Sequence, residues 1–546
     1  MIYYAAIVIL SFLPLVSSFV TADLFHSHDG LVHLPRIAAY YKSLLDLQIP
    51  VRWAGDLNYG YGMPLFNFIY QLPYVIASFF VSLGLGLVWS FKLTLTVSYM
   101  LSGVFMLMFA NLFFKDRKTA FLVAVFYQFA PFRLVELLMR GSFGEVYTYA
   151  FLPLVLFGLT KLFIFPNYRY FLLTSVASAL LVLSHNSISL VFFAISAGFM
   201  LFFAKSRKNV VLGMLALVAG LALSSFYWVP ALLEHKYTYG DLYMKNVYLS
   251  HFVPFSLFFI PNFDNNPSLY VEKIPVQLGL FHVIGLVFSL LILIKSKIGL
   301  ELKRLIIFSL ILTAGAIFFM LPISKFIWGS VSFLRQFQFP WRFLAVTSFT
   351  TSMCAAAYLK LPLFRKKFVY VMLILFVVAS TVYYWRPQEG YDTVNDSYYW
   401  NFPLNTTYYG ETDVIWSAGP AKSYPKSRVE VIDGKGKVGN VAKKSNLHEF
   451  KILSETEVKV VDHTQYFPGW RVYIDGTKVE TIEFQDPNWR GLITFRVPKG
   501  AHEVKVVFGE NKVRLIADIA SVVTIVALGL MFFFRRRVFS TLLYKL

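Results

Sequence analysis

Long apolar runs separated by short polar or basic connections dominate the chain. They fall near residues 2–20, 92–114, 119–132, 145–163, 170–186, 188–204, 210–230, 277–294, 305–322, 342–359, 368–385 and 514–534. Crossing a hydrocarbon core of about 30 Å takes roughly 20 helical residues. Lipid offers the backbone no hydrogen-bond partner, so each run predicts a membrane-spanning helix. Composition agrees: 57% of residues are hydrophobic, 15% are charged, and the mean hydropathy is +0.60. The class is a polytopic α-helical membrane protein with about twelve spans. The first run reads as a retained helix rather than a signal peptide cleaved near Val20 and Ala22, because no Lys or Arg precedes it and it is long.

Charge then supplies the topology. Alternate connections carry Lys115, Arg117 and Lys118; Lys161 and Arg169; Lys205, Arg207 and Lys208; Lys295, Lys297, Lys303 and Arg304; Arg365, Lys366 and Lys367; and Arg535, Arg536 and Arg537. Positive residues gather in cytoplasmic loops, so these connections face the cytoplasm and both termini lie there. Residues 65–88 are apolar enough to make a thirteenth span. Pro64, Asn67, Gln71 and Pro73 instead predict an interfacial or re-entrant piece. The formal charge of +20 is absorbed by these topological clusters, and without a basic stripe and reading motif it does not point to nucleic acid. The single cysteine, Cys354, excludes an intrachain disulfide and a thiolate zinc site.

Residues 387–512 are the one long polar segment, placed outside by the same parity. The pattern "YFPGWRVYIDGTKVETIEF" alternates around Asp475-Gly476, a two-residue hairpin signal, and "GLITFRVPKGAHEVKVVF" alternates around Pro498 to Gly500. A small antiparallel sandwich is expected. The organisation is therefore a helical unit, 1–386, with a large first external loop, 21–64; a β-rich extracytoplasmic domain, 387–512; and a final helix with a basic tail, 513–546.

This topology collects titratable residues on the outer face. The first loop holds Asp23, His26, His28, Asp29, His33, Arg36, Arg52 and Asp56; later connections hold Arg133, Glu136, Arg140 and Glu145, then His185, Glu234 and His235, then Arg335 and Arg342. In "HSHDGLVHLPR", a helix starting near Asp29 puts Asp29, His33 and Arg36 at i, i+4 and i+7 on one face. Three readings compete. Asp29 is a helix N-cap; or Asp29 is a general base that takes a proton from an acceptor hydroxyl while nearby cations stabilise a leaving phosphate; or His26, His28 and His33 bind a divalent metal. Arg335 and Arg342, flanking "QFQFPW", suit a phosphate through their planar forks, or anchor an aromatic belt at the membrane interface.

The stretches "HDGLVHLPR", "RWAGDLNYGYGMPLFNF", "SHN", "QFPWRFL" and "YFPGWRVYIDG", in this order, resemble bacterial membrane proteins of the GT-C glycosyltransferase superfamily. The nearest branch is labelled 6-pyruvoyl-tetrahydropterin-synthase-related. A soluble pterin synthase needs a compact α+β unit with a zinc site, for which the spans leave no room, so the label's chemistry is set aside. The resemblance implies an enzyme that moves a sugar from a polyprenyl-phosphate donor to a glycan, lipid or protein acceptor outside the cytoplasmic membrane, with inversion. It implies an acidic base in the first external loop, and Asp29 is the matching position, with Asp23 in reserve and His33 beside it. For the donor phosphate it points to Arg342 and Arg140, then Arg52, with Arg335 and His185 on the same face. A metal at His26 and His28 stays open. The rival functions are a lipid-linked sugar flippase, or a scaffold whose β domain binds glycan through aromatics such as Trp470, Tyr473 and Trp489.

Overall fold

The computed structural model describes every residue except 265, 296–297, 388, 402–409 and 535–546. At each of the twelve apolar runs the chain is helical, but the helices differ in length. Six are individually long and apolar enough to cross a membrane: Ile2–Phe19, Leu87–Phe114, Glu145–Ile164, Asn186–Phe203, Leu300–Met320 and Lys512–Phe533. Two apolar pairs are bent, Arg117–Gln128 with Pro131–Met139 by 53° and Arg207–Leu223 with Ser225–Leu233 by 71°. If each pair is one span, the described residues contain eight.

The expected helical membrane architecture is present, with spans of unequal length. The other runs form shorter helices, Tyr168–Ser184, Leu280–Lys295 and Lys367–Ala379, and Leu344–Cys354 continued by the 3-10 stretch Ala355–Lys360. Local residues shorten them. The Tyr168–Ser184 helix stops because His185 turns the backbone to an extended conformation and caps the next helix. The disputed residues 65–88 hold only Leu65–Phe68 and the 11-residue helix Leu72–Ser82. At 1.5 Å per residue the latter rises about 16 Å, roughly half of a hydrocarbon core. This geometry agrees with an interfacial or re-entrant piece.

Basic connections meet at one end of the bundle. Lys205 pairs with Glu301 at 2.7 Å, and the Tyr370 hydroxyl donates to the Lys118 carbonyl at 2.9 Å. The Arg535–Arg537 cluster lies outside the described residues. The first loop forms the other end. Its helix, Gly30–Leu45, packs beside Leu72–Ser82, and Leu24–Phe25 pairs antiparallel with Tyr391–Asp392.

The β region is a sandwich of two antiparallel sheets. One orders Thr477–Lys478, Trp470–Ile474, Gly500–Phe508, Leu447–Ser454 and Gly436–Val438, with Ala442–Lys444 also on Leu447–Ser454. The other orders Leu492–Val497, Val458–Gln465 and Val429–Asp433. Asp475 and Gly476 both take positive φ, 49° and 79°, and close the expected two-residue hairpin, with Ile474 opposite Thr477. The turn at Pro498–Gly500 does something else: the strands on either side belong to different sheets, so it is the crossover that closes the sandwich.

The core of this sandwich borrows from the first loop. Trp53 is buried edge-on to Trp470, ring centroids 5.4 Å apart, and 5.3 Å from Phe508. Trp470 is therefore a core residue, unavailable to a glycan. Gly62, at φ 74°, lies so close that a Cβ would meet the Trp53 ring at 2.6 Å. A clamp of charges surrounds this joint. Arg52 binds Glu510 through Nε at 2.8 Å and Asp518 through Nη2 at 2.6 Å, and donates to the Phe226 carbonyl at 3.0 Å. Arg514, fully buried, lies 3.5 Å from both Glu234 and Glu510. Glu234 also accepts from Asn67 at 2.7 Å. First loop, β region and final helix are thus one structural unit.

Candidate functional site

The site begins with a broken helix. Pro131 has no N–H, so the Tyr127 carbonyl four residues earlier loses its helical donor. Arg133 replaces it: Nη1 donates to the Tyr127 carbonyl at 3.0 Å and to Gln128 Oε1 at 2.6 Å, and Nη2 to Ser102 Oγ at 2.6 Å. Its guanidinium stands 4.2, 4.7 and 5.1 Å from the rings of Tyr127, Tyr149 and Tyr99. This cage keeps the charge in place through cation–π attraction. The Tyr99 hydroxyl donates to the next carbonyl, that of Gln128. The chain then makes a π-helical turn, Val135–Met139, which delivers Glu136 and Arg140 to one spot.

There a buried charge cluster assembles. Arg140 Nη1 donates to Glu136 at 2.7 and 2.8 Å and to Glu145 Oε1 at 3.0 Å. Arg342 Nε donates to the same Glu145 oxygen at 3.1 Å, and its Nη1 to the Phe337 carbonyl at 2.8 Å and Gln338 Oε1 at 2.9 Å. Both glutamate side chains are completely buried. Glu145 opens the helix Glu145–Ile164, where the positive end of the helix dipole favours a carboxylate. Gly144 just before it leaves room for Tyr70 and the Ser184 carbonyl, which a Cβ would meet at 2.6 Å. His185 completes the group with Nε2 3.6 Å from Glu145 Oε1. Its Nδ1 accepts the backbone N–H groups of Ser187 and Ile188. That bond assigns the ring proton to Nε2, facing the carboxylate.

Asp29 lies at the edge of this cluster. Its backbone N–H binds the Arg140 carbonyl at 2.9 Å, and that of His28 binds Met139 at 3.0 Å, so the loop is docked on the π-turn by main chain. Asp29 occupies the N-cap position of Gly30–Leu45, yet its carboxylate accepts no capping bond. A capping role alone therefore does not describe it. The carboxylate is 37% exposed, with its nearest cation, Arg140 Nη2, at 3.7 Å. Asp29 is the third carboxylate beside these two guanidinium groups and the only one of the three that is not fully buried. Arg342 Nη2 makes no hydrogen bond among the described residues.

The loop histidines diverge. His26 sits between Glu389 and Asp392, each at 3.0 Å. His28 is held below its ordinary pKa by burial and by Arg140. His33 is buried and lies 2.9 Å from the Tyr74 hydroxyl. Burial, then Arg36 and Arg140, keep it neutral well below the usual imidazole range. Arg36 reaches the same tyrosine, so His33 and Arg36 do share a face. The three imidazoles do not converge, and among the described residues no group of three or more His, Cys, Asp or Glu could hold a metal ion.

Of the remaining candidates, Asp23 accepts from Thr21 at 3.0 Å. Arg52 is engaged in the β-domain clamp. Arg335 is turned to the carbonyls of Trp328 and Gly329. The structure thus brings together Asp29, Arg140, His185 and Arg342, and adds Glu136 and Glu145, which sequence reasoning named in their connection without choosing them. The signal for Glu136 was its i, i+4 spacing to Arg140. Glu145 is tied to Arg342 across 197 residues, which no local pattern reveals.

A family model described as "6-pyruvoyl-tetrahydropterin synthase related domain; membrane protein" matches residues 66–387. An uncharacterized protein of Lactococcus lactis subsp. cremoris (strain MG1363) is 23% identical over 224 residues, 38% of this chain and 36% of its own. The match thus spans about a third of that curated relative. Among solved structures, arabinofuranosyltransferase AftD from Mycobacteria is similar at TM-score 0.42 and 16% identity, over 72% of this chain and 27% of its own. A mutant of the same enzyme gives 0.43 and 16%, over 72% and 28%.

Proposed function

For a chain that belongs to the 6-pyruvoyl-tetrahydropterin synthase related membrane protein family, we propose a glycosyltransferase that takes a sugar from a polyprenyl-phosphate donor on the extracytoplasmic side of the cytoplasmic membrane. The observation that carries this reading is the Asp29 carboxylate, partly exposed, uncapped and 3.7 Å from Arg140. It has the freedom a general base needs and a cation beside it. In the proposed step Asp29 takes the proton of an acceptor hydroxyl, and the acceptor oxygen attacks the anomeric carbon from the face opposite the phosphate. The bond from that carbon to the phosphate oxygen breaks, its electron pair leaves with the polyprenyl phosphate, and the configuration inverts. Arg140 and Arg342 face the departing charge through Nη2, their Nη1 groups being held elsewhere. The acceptor is a glycan, lipid or protein hydroxyl.

The test is Asp29→Asn in proteoliposomes carrying a polyprenyl-phosphate sugar. Transfer should collapse while the protein stays folded; full transfer by the variant would remove the base assignment. A second reading, translocation of the lipid-linked sugar, is favoured by the 53° break at residues 128–131 and the buried Arg133, since broken helices with buried charge line transport paths. Movement of a fluorescent polyprenyl-phosphate sugar across the bilayer without change of its glycosidic bond would select it.

A further inference from the structure

At the basic end of the bundle, away from Asp29, three helix ends and a fourth segment line a half-open cavity of about 510 Å³. Its walls come from the end of Leu87–Phe114, the start of Arg117–Gln128, the start of Leu300–Met320, and the segment from Ala356 to Tyr370. The cavity therefore sits where spans leave the bilayer.

Its charges are unevenly matched. Lys118, Lys360 and Arg365 line it together with Asp116 and Glu301. Both carboxylates are already engaged: Glu301 binds Lys205 at 2.7 Å, and Asp116 accepts the N–H and hydroxyl of Thr119 at 2.9 and 2.6 Å. Among the described residues no salt bridge joins either lysine or Arg365 to a carboxylate; Lys118 lies within electrostatic reach of Asp116, and Arg365 Nε donates to the Leu359 carbonyl at 2.8 Å. Phe113, Phe114 and Phe364 line the same space and give it an apolar wall beside the three cations. Cations over an apolar wall at a membrane boundary fit a phosphate carried on an acyl stem.

We propose that this cavity binds the phosphodiester head group of an anionic phospholipid in the leaflet on the basic side. The inference does not rest on glycosyl transfer, because it uses none of the residues around Asp29.

The test uses the full chain, purified and stripped of lipid in detergent. Native mass spectrometry follows the binding of dioleoyl phosphatidylglycerol, dioleoyl phosphatidylcholine and inorganic phosphate. Phosphatidylglycerol should bind, phosphatidylcholine much more weakly, and inorganic phosphate should not displace the lipid at equal concentration. Combining Lys118→Ala, Lys360→Ala and Arg365→Ala should weaken phosphatidylglycerol binding roughly 100-fold, given the usual contribution of each basic residue at an anionic surface. Combining Lys118→Arg and Lys360→Arg keeps the charge and should keep the binding, which separates lost charge from misfolding. Equal binding of both lipids, displacement by inorganic phosphate, undiminished binding by the alanine variant, or loss of binding in the arginine variant would each overturn the proposal.

Discussion

The clamp of Arg52, Glu234, Glu510, Arg514 and Asp518 and the cluster of Asp29, Glu136, Arg140, Glu145 and Arg342 have the same arithmetic, two arginines against three carboxylates. Their finish differs. In the clamp every carboxylate is tied: Asp518 and Glu510 to Arg52 at 2.6 and 2.8 Å, Glu234 to Asn67 at 2.7 Å. In the cluster Glu136 and Glu145 are tied just as tightly, while Asp29 keeps 3.7 Å from its nearest cation. A carboxylate that already accepts strong bonds is a poor proton acceptor, so on the proposed function it is unspent bonding capacity within reach of an acceptor, and not net charge, that singles out Asp29.

The largest effect should follow from Asp29→Asn. Loss of a general base predicts a fall in transfer of about 10² to 10⁴-fold. Because the carboxylate makes no cap bond, the unfolding midpoint should stay unchanged; a marked drop would return Asp29 to a structural role. Next comes the clamp. Arg514→Met leaves Glu234 buried beside nothing that neutralises it through Arg514, and should cost about 3–5 kcal/mol by denaturant unfolding. Limited proteolysis should then release the β region. Arg140→Met should cost a similar amount and leave the β region attached. Equal release by both variants would show that the two networks are not separate.

A smaller effect at the cluster is read by pH. The folded protein holds His33 and His28 below their unfolded pKa, so the unfolded state binds more protons as pH falls below about 6.5. Stability from His33 is full above that pH and declines as acid increases, by up to about 1.4 kcal/mol per pH unit. His33→Gln should flatten the slope of unfolding free energy between pH 7.5 and 5.5; an unaltered slope would assign it to other groups. Smallest is Asp116→Ala at the basic end, which removes a side-chain cap and should lower the unfolding free energy by about 1 kcal/mol in denaturant titration.

Period and composition were enough to locate each helical run and the Asp475-Gly476 hairpin, because those features are local. Span lengths were less legible. Pro131 and His185 interrupt runs whose hydropathy is continuous, and a sliding apolar count does not register a lost N–H. The sandwich was visible as alternation, but the pairing around Pro498–Gly500 depends on which sheet each strand joins. In the candidate site, Asp29 and Arg140 were named from connections that the charge parity assigns to one face, whereas the partner of Arg342 had no local signal. Arg52 illustrates the converse: a basic residue in the right loop, drawn away by Glu510 and Asp518, more than 450 positions distant.

That distance bears on the order in which the protein is made. Trp53 and Arg52 are made early, yet the groups that pack against them, Trp470, Glu510 and Asp518, follow more than 400 positions later. Until that segment is made, Trp53 lacks its aromatic partners and Arg52 keeps its bond to the Phe226 carbonyl, without either carboxylate. The joint between the first loop and the β region is therefore closed only once the segment through Asp518 has been made, whereas the main-chain docking of Asp29 on Arg140 needs nothing beyond residue 140.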